Sequence, residues 1–357
     1  MLESRYPRPV TTAANQPVVQ IPKDEGTIEI RPLAGDGGGF EITLQPHRSD
    51  LYIPRKSCQT TLPLDLLRYW ADHFDFAWFC NAVGRHEDQT TVPGALRRQL
   101  FAYFSAGEFE GKRLLDFGCG TGASTFSMAR MLPLTEVVGV ELDGERVELA
   151  NRIKSCVGLP NVTFQCSPAG DQLPVGIGDF DFVMLSAVYE HLLPDERKIV
   201  MPLLWSALKP GGVFFLNQTP YRYSPIEAHS SGLWFINYLP DGAAHWTVRH
   251  FAGRNPSVNR SNDWSVHLRG GLRGGTERGV IDNLTRGNPR EARILQPQQN
   301  GLRDRADFWL SRTSPQRYRL VKRAIAAVFR ITDRAWGTVP GLNLEVAIQK
   351  RADAVRD

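Results

Sequence analysis

From about Pro93 onward, short apolar runs alternate with amphipathic stretches. Residues 113–117 (RLLDF) read as a buried strand. Residues 124–132 read as a helix, with Phe126, Ala129 and Leu132 at three-residue spacing. The alternation continues with a strand at 137–141, a helix at 145–156, strands at 162–165 and 180–185, and a helix at 199–208. The turn Lys209-Pro210-Gly211-Gly212 then leads into a strand at 213–217. Strands that are apolar almost throughout and separated by helices predict a parallel sheet covered on both faces. After Thr219 the alternation stops. Residues 221–340 are rich in Gly, Arg, Asn and Trp, with helical periodicity at 277–284 and 317–336, and one alternating strand (LNLEVAIQ, 342–349) closes the pattern.

Upstream the pattern is weaker. Residues 1–60 read as an extended, irregular arm, punctuated by Pro7, Pro9, Pro17, Pro22, Pro32, Pro46 and Pro54 and by glycines at 35–39. Alternating pieces at 27–30 and 40–44 can pair as a small hairpin. Residues 64–79 read as one aromatic-rich helix that packs on the following domain. The organisation expected is an arm and aromatic helix over 1–92, a core over 93–219, a lid or acceptor-binding insertion over 220–340, and a closing strand and tail over 341–357.

Composition narrows the class. The 357 residues are 42% hydrophobic and 22% charged, as in an ordinary globular protein. No run of ~18 uncharged apolar residues exists, so no transmembrane segment is expected. The N-terminus has no apolar core of signal-peptide type. The five cysteines, odd in number and without a CxxC pair, indicate neither a disulfide framework nor a zinc site. A reduced, cytoplasmic setting is the default. The net charge of +4 is unevenly placed: residues 245–357 carry 21 Lys/Arg against 10 Asp/Glu. That excess reads as a solvated Arg-rich surface, or as a basic face for an anionic partner.

The strongest chemical signal is Asp116-Phe117-Gly118-Cys119-Gly120-Thr121-Gly122, between an apolar strand and a helix. Glycines at such a turn let the backbone bend sharply and approach a ligand. Gly118, Gly120 and Ala123 also fit a dinucleotide fingerprint. A buried carboxylate at Asp116 would repel a pyrophosphate and suit a cationic ligand. LLDFGCGTG resembles motif I of the class I S-adenosylmethionine-dependent methyltransferases. Val138-Gly139-Val140-Glu141-Leu142, Asp179–Met184 with Val188-Tyr189-Glu190-His191-Leu192, and Leu208–Gly212 resemble later motifs, in the family's order. The resemblance covers roughly a third of the chain.

The resemblance implies a doubly wound, mostly parallel seven-stranded α/β sheet, its last strand inserted antiparallel beside the fifth. It implies S-adenosyl-L-methionine as cofactor. Glu141 would accept both ribose hydroxyls, Leu142 would lie against the adenine, and Gly118, Cys119 and Gly120 would line the loop. Asp116 would stand near the methionine moiety. The family often has an acid after the third strand to bond the adenine amino group. Ser167 stands there instead, with Asp171 four residues on. Ser186 would wall the methionine pocket.

Methyl transfer from a sulfonium needs positioning above all, and a base only if the acceptor must lose a proton. His191 and His229 are the catalytic candidates, since both follow strands at the ligand-binding edge of the sheet. Glu227 and His245 can also supply a base, or ligate a metal with Asp263 or His267. Their spacing has no metal signature, and no metal is assigned. Arg269–Gly275 (RGGLRGG) reads as a turn-rich linker or an anion cradle. Residues 317–336 read as a basic amphipathic helix packing Leu320, Ala324, Ala327, Val328 and Ile331 inward, with peripheral membrane contact as the alternative. The function expected is methylation of a small molecule, such as a hydroxyl of a sugar, lipid or secondary metabolite. A nicotinamide-dependent oxidoreductase and a non-catalytic cofactor- or nucleic-acid-binding protein are the alternatives. No N/D-P-P-Y/F motif follows the fourth strand, so a nucleic-acid partner is not expected.

Overall fold

The computed structural model describes residues 18–33, 38–88, 90–253, 259–312 and 318–352. Pro7, Pro9 and Pro17, Gly35 and Gly37, and residue 317 of the expected basic helix lie outside the described residues.

The chain begins with β1 (Val19–Lys23), β2 (Gly26–Pro32), β3 (Phe40–Pro46) and β4 (Ser57–Thr60), followed by α1 (Leu64–His73), α2 (Phe79–Glu87) and α3 (Val92–Tyr103). Next come β5 (Arg113–Phe117), α4 (Ala123–Met131), β6 (Glu136–Glu141), α5 (Gly144–Val157), β7 (Val162–Cys166), β8 (Phe180–Ser186), α6 (Pro194–Ser206) and β9 (Leu208–Pro220). The remainder holds α7 (Asp241–Phe251), α8 (Trp264–Arg269), α9 (Glu277–Leu284), β10 (Ala292–Ile294), α10 (Arg305–Arg312), α11 (Arg319–Trp336) and β11 (Asn343–Lys350).

Seven strands form the central sheet in the order β10-β11-β9-β8-β5-β6-β7. Strands β5 to β9 pair in parallel, and β11 runs antiparallel between β9 and β10. This is the doubly wound sheet that the alternating pattern predicts. The order in which strands are added reverses between the parallel neighbours β5 and β8, so a crevice opens at their carboxyl ends. One strand escaped the sequence pattern. The edge strand β10 lies inside the stretch read as an insertion, and its three residues are too few to leave a period-two signal.

The hairpin expected from 27–30 and 40–44 is present as β2 against β3, and the irregular arm around it is a correction. Residues 19–60 form a four-stranded antiparallel sheet in the order β1-β2-β3-β4. Its inward positions Ile28, Ile30, Ile42 and Leu44 are at most 3% exposed. Pro22 sits in the edge strand β1, and Pro32 and Pro46 occupy strand ends, the places where a missing N–H is tolerated. The single aromatic helix is likewise two. The Asp75 carboxylate accepts from the Ala77 N–H at 2.8 Å, which makes a turn between α1 and α2.

This N-terminal layer shares its core with one face of the central sheet: Ile30, Trp70 and Phe79 belong to one buried cluster with Leu114, Phe126 and Phe215. Buried Gln99 on α3 joins the same face to β9 and β11. It donates to the carbonyls of Leu216 (2.7 Å) and Val346 (3.3 Å) beside a register shift between Leu344 and Val346. The opposite face packs Val183, Phe214, Met201, Trp205 and Val280.

Helix α11 turns the other way from expectation. Ala326 and Phe329 are buried, while Leu320, Val328 and Ile331 are at least 54% exposed. The cause is a buried ionic clamp. Arg305 on α10 bonds Glu277 of α9, the Asp333 carboxylate (2.9 Å) and the Gly337 carbonyl (3.1 Å). Seating Asp333 inward fixes the rotation of the helix. No helix among the described residues is long and apolar enough to cross a membrane.

Candidate active site

The loop after β5 is built by conformation. Gly118, Gly120 and Gly122 all have positive φ, at 72°, 56° and 90°. A Cβ on Gly118 would lie 2.7 Å from Val188 Cγ2, so the loop can pass the chain leaving β8 only as glycine. A Cβ on Gly120 would meet nothing within 4 Å, so this side of the loop is open. The Gly120 N–H donates to Glu141 Oε2 at 2.9 Å. The other carboxylate oxygen accepts from the Leu142 N–H (2.8 Å) and the Asp143 N–H (3.2 Å). Glu141 is thus held at the crevice by backbone donors, with Leu142 beside it, 56% exposed.

Asp116 is 1% exposed. Its Oδ2 accepts from Ser124 Oγ (2.7 Å) and Thr125 Oγ1 (2.6 Å) at the start of α4. Burial raises its pKa to about 6, against the pull of those two donors. The Cys119 side chain is buried beneath the loop against Gly139 rather than facing the crevice. The Ser167 hydroxyl is turned into its own loop, facing the carbonyls of Ala169 (3.1 Å) and Gln172. Ser186 ends β8 opposite Asn217 of β9.

One helper was not legible in the sequence. His86, at the end of α2, meets Thr121 Oγ1 of the loop at 2.9 Å. Its ring packs edge-on against Trp70, at 5.4 Å between centroids. Burial, with Arg130 and Arg85 nearby, lowers its pKa to about 3, so the imidazole is neutral. The adjacent Arg85 feels the charge of Asp116. No motif marks either residue, because they reach the site through the fold of the N-terminal layer.

The two catalytic candidates come together. His191 and His229 lie with ring centroids 5.5 Å apart. Buried Glu190 stands beside them, its Oε1 4.0 Å from His191 Nε2. The His191 Nδ1–H faces the Arg269 carbonyl at 2.6 Å. The surrounding protein and the neighbouring His191 lower the pKa of His229. Glu190 was visible within its motif but carried no signal of its own.

His229 and Ala187 line a cavity of about 390 Å³ at the carboxyl edge of β8 and β9, together with Gln218, Tyr221 and Arg98. Ala187 and Gln218 hold positive φ of 54° and 58° without being glycine, so strained backbone borders this cavity. The volume lies within the ~300–1,000 Å³ range of small-molecule sites.

Other candidates do not join. The Glu227 carboxylate is taken up by the backbone and hydroxyls of Ser230 and Ser231 and by the His229 N–H. His245 and His267 both face the Ser261 carbonyl, and Asp263 caps α8. Within RGGLRGG, Arg269 pairs with Glu196 (2.8 Å) and buried Arg273 bonds the carbonyls of Asn237 (3.0 Å) and Leu239 (2.8 Å). That stretch is therefore neither a free linker nor an anion cradle. It docks on the exit of β9, where a Cβ on Gly274 would fall 1.8 Å from the Pro220 carbonyl oxygen.

Residues 114–212 match the family described as "Methyltransferase domain". The chain is 32% identical over 142 residues to a ubiquinone biosynthesis O-methyltransferase of Xanthomonas euvesicatoria pv. vesicatoria, covering 39% of this chain and 56% of that protein. It is 28% identical over 142 residues to the protein of the same name from Neisseria meningitidis serogroup C, covering 39% of this chain and 58% of that one. The chain thus spans little more than half the length of these curated relatives. The plantazolicin methyltransferase BpumL, solved in complex with SAH, is 14% identical with a TM-score of 0.40, over 80% of this chain and 94% of that one. The glycine loop and the strand-end acid both fall within residues 114–212, so the match to a methyltransferase domain lies on the part of the chain that resembles the class I S-adenosylmethionine-dependent methyltransferases.

Proposed function

We propose that this protein transfers a methyl group from S-adenosylmethionine to a hydroxyl of a small molecule. One juxtaposition carries the reading: the open loop with Glu141 lies on one side of the β8 exit, and a cavity walled by His229 on the other. Gly120 leaves room for a ligand, and Glu141 offers a carboxylate to a diol, so the residues fit the cofactor. The O-methyltransferase names of the relatives support oxygen as the acceptor atom.

When bound, S-adenosylmethionine would supply a methyl activated on a sulfonium, to be taken by the acceptor oxygen with the C–S electron pair left on sulfur. Glu141 orients the ribose through charge-assisted hydrogen bonds, each worth ~1.5–3 kcal/mol. Asp116, as an anion, favours a positive ligand above it. His86 and Thr121 hold the loop still. The cluster of Glu190, His191 and His229 handles the proton of the acceptor hydroxyl.

Calorimetric titration with S-adenosylmethionine and with NAD tests the reading, and saturable binding of NAD alone overturns it. Glu141→Ala is expected to weaken S-adenosylmethionine by about 100-fold, the loss of roughly two such hydrogen bonds. His191→Ala and His229→Ala are expected to lower turnover with cofactor affinity nearly intact.

The exposed apolar face of α11 is the second part of the proposal. Leu320, Val321, Val328, Ile331 and Trp336 lie outward, with Arg323 and Arg334 at its border. An apolar stripe edged by cations suits an anionic lipid surface, and with it a lipophilic acceptor.

A further inference from the structure

We propose that Glu190, His191 and His229 hold a divalent transition-metal ion in the wall of the acceptor cavity. The inference rests on the methyltransferase reading and specifies how the hydroxyl loses its proton.

The three ligand atoms all lie within 4.8 Å of one another. Reaching the ~2.0–2.2 Å metal–ligand distances of imidazole and carboxylate donors would require these side chains to adjust their rotamers around the ion. Glu190 is fully buried. One of its oxygens accepts from Thr219 Oγ1 at 3.1 Å, while Oε1 has no hydrogen-bond partner. A buried carboxylate oxygen without a donor is costly unless a cation compensates it, and this one faces His191 Nε2 at 4.0 Å. His191 donates its Nδ1–H to the Arg269 carbonyl at 2.6 Å, which leaves the Nε2 lone pair for a metal. A backbone carbonyl on the far ring nitrogen is the usual second partner of a metal-binding histidine.

Gly271 makes the meeting possible. It holds φ +85°, and a Cβ there would lie 2.5 Å from His229 Cδ2 and 3.3 Å from Glu190 Cγ. Any side chain at this position would push His229 away from the carboxylate.

Two imidazole nitrogens and one carboxylate oxygen suit Mn²⁺, Fe²⁺, Co²⁺ or Zn²⁺ better than Ca²⁺, which takes oxygens alone. Three protein ligands leave coordination positions open, and His229 lines the cavity. An acceptor hydroxyl bound there loses its proton to solvent, since the cation lowers its pKa. The resulting oxyanion would form the new O–CH₃ bond as the methyl's bond to the sulfonium breaks and its electron pair stays on sulfur. The histidines are then ligands rather than bases.

The test uses the full chain, stripped with EDTA and titrated with Mn²⁺, with free Mn²⁺ read by electron paramagnetic resonance. One Mn²⁺ per chain is expected, displaced by Zn²⁺. Glu190→Gln and His229→Ala are expected to weaken it at least 10-fold, with S-adenosylhomocysteine affinity in the same samples unchanged. His229 is on the exposed edge, so its variant keeps the test valid if Glu190→Gln fails to fold. No saturable Mn²⁺ binding, or binding that His229→Ala leaves intact, overturns the site. If S-adenosylhomocysteine binds and Mn²⁺ does not, the site falls and the methyltransferase reading stands. If Mn²⁺ binds and neither S-adenosylmethionine nor its product does, the methyltransferase reading falls and the metal site stands.

Discussion

Asp116 is expected to couple folding to binding with opposite signs. Burial holds its pKa near 6, above the ordinary 3.8. The native chain therefore keeps this proton longer than the unfolded chain does. The stability it contributes is full below about pH 3.8 and is lost as pH rises through about 6. A cationic ligand wants the anion instead, so S-adenosylmethionine affinity is expected to fall as pH drops below about 6. Asp116→Asn is expected to flatten that profile and weaken binding at pH 8. It should also raise the stability of the free protein there by up to ~3 kcal/mol. Calorimetry across pH 5–8 with thermal melts checks both. An Asn variant that keeps the wild-type pH profile places the titration elsewhere. At this scale the glycine loop and Glu141 were legible, because a strand-to-helix bend at a ligand demands particular residue types. His86 was not, because a histidine packed between Trp70 and Phe126 reads as core.

Elements depend on partners far away in sequence. Arg305 is 3% exposed and joins α9, α10 and α11 through Glu277 and Asp333. Arg305→Ala leaves two buried carboxylates unpaired and is expected to cost ~3–5 kcal/mol, read as a fall in denaturant midpoint. A well-packed apolar replacement of all three is expected to cost far less. Strand β11 is hydrogen-bonded on both sides, to β9 and to β10. Truncation before Leu342 is therefore expected to unfold the core. A truncated chain that stays folded and binds S-adenosylmethionine refutes that placement. The long strands and helices of the core could be read in advance, since each carries its own periodicity. Strand β10 could not, since three residues become a strand only by lying against β11.

Across the whole molecule, most of the described Lys and Arg side chains of the C-terminal third are exposed, whereas Arg273 and Arg305 are buried against carboxylates. Beside those surface cations the apolar stripe of α11 also faces outward. Co-sedimentation with vesicles containing anionic lipid is expected, weaker with neutral vesicles and with added salt. Val328→Asp is expected to abolish it without changing S-adenosylmethionine affinity. Equal sedimentation of wild type and variant removes the stripe as a lipid contact.

The residue pattern by itself determined the alternating core, the glycine loop and the acid one β-α-β step later. Each of these is specified by local periodicity or by backbone conformation, and such information is carried within a few residues. Only the tertiary structure decided that β1 and β4 extend the 27–30/40–44 hairpin into a four-stranded sheet, that α11 shows its apolar face to solvent, and that Glu190, His191 and His229 share one corner. Those outcomes turn on which surfaces meet and which charges are buried together. Contacts between residues 38 or more positions apart, such as His191 with His229, leave no mark on either local sequence.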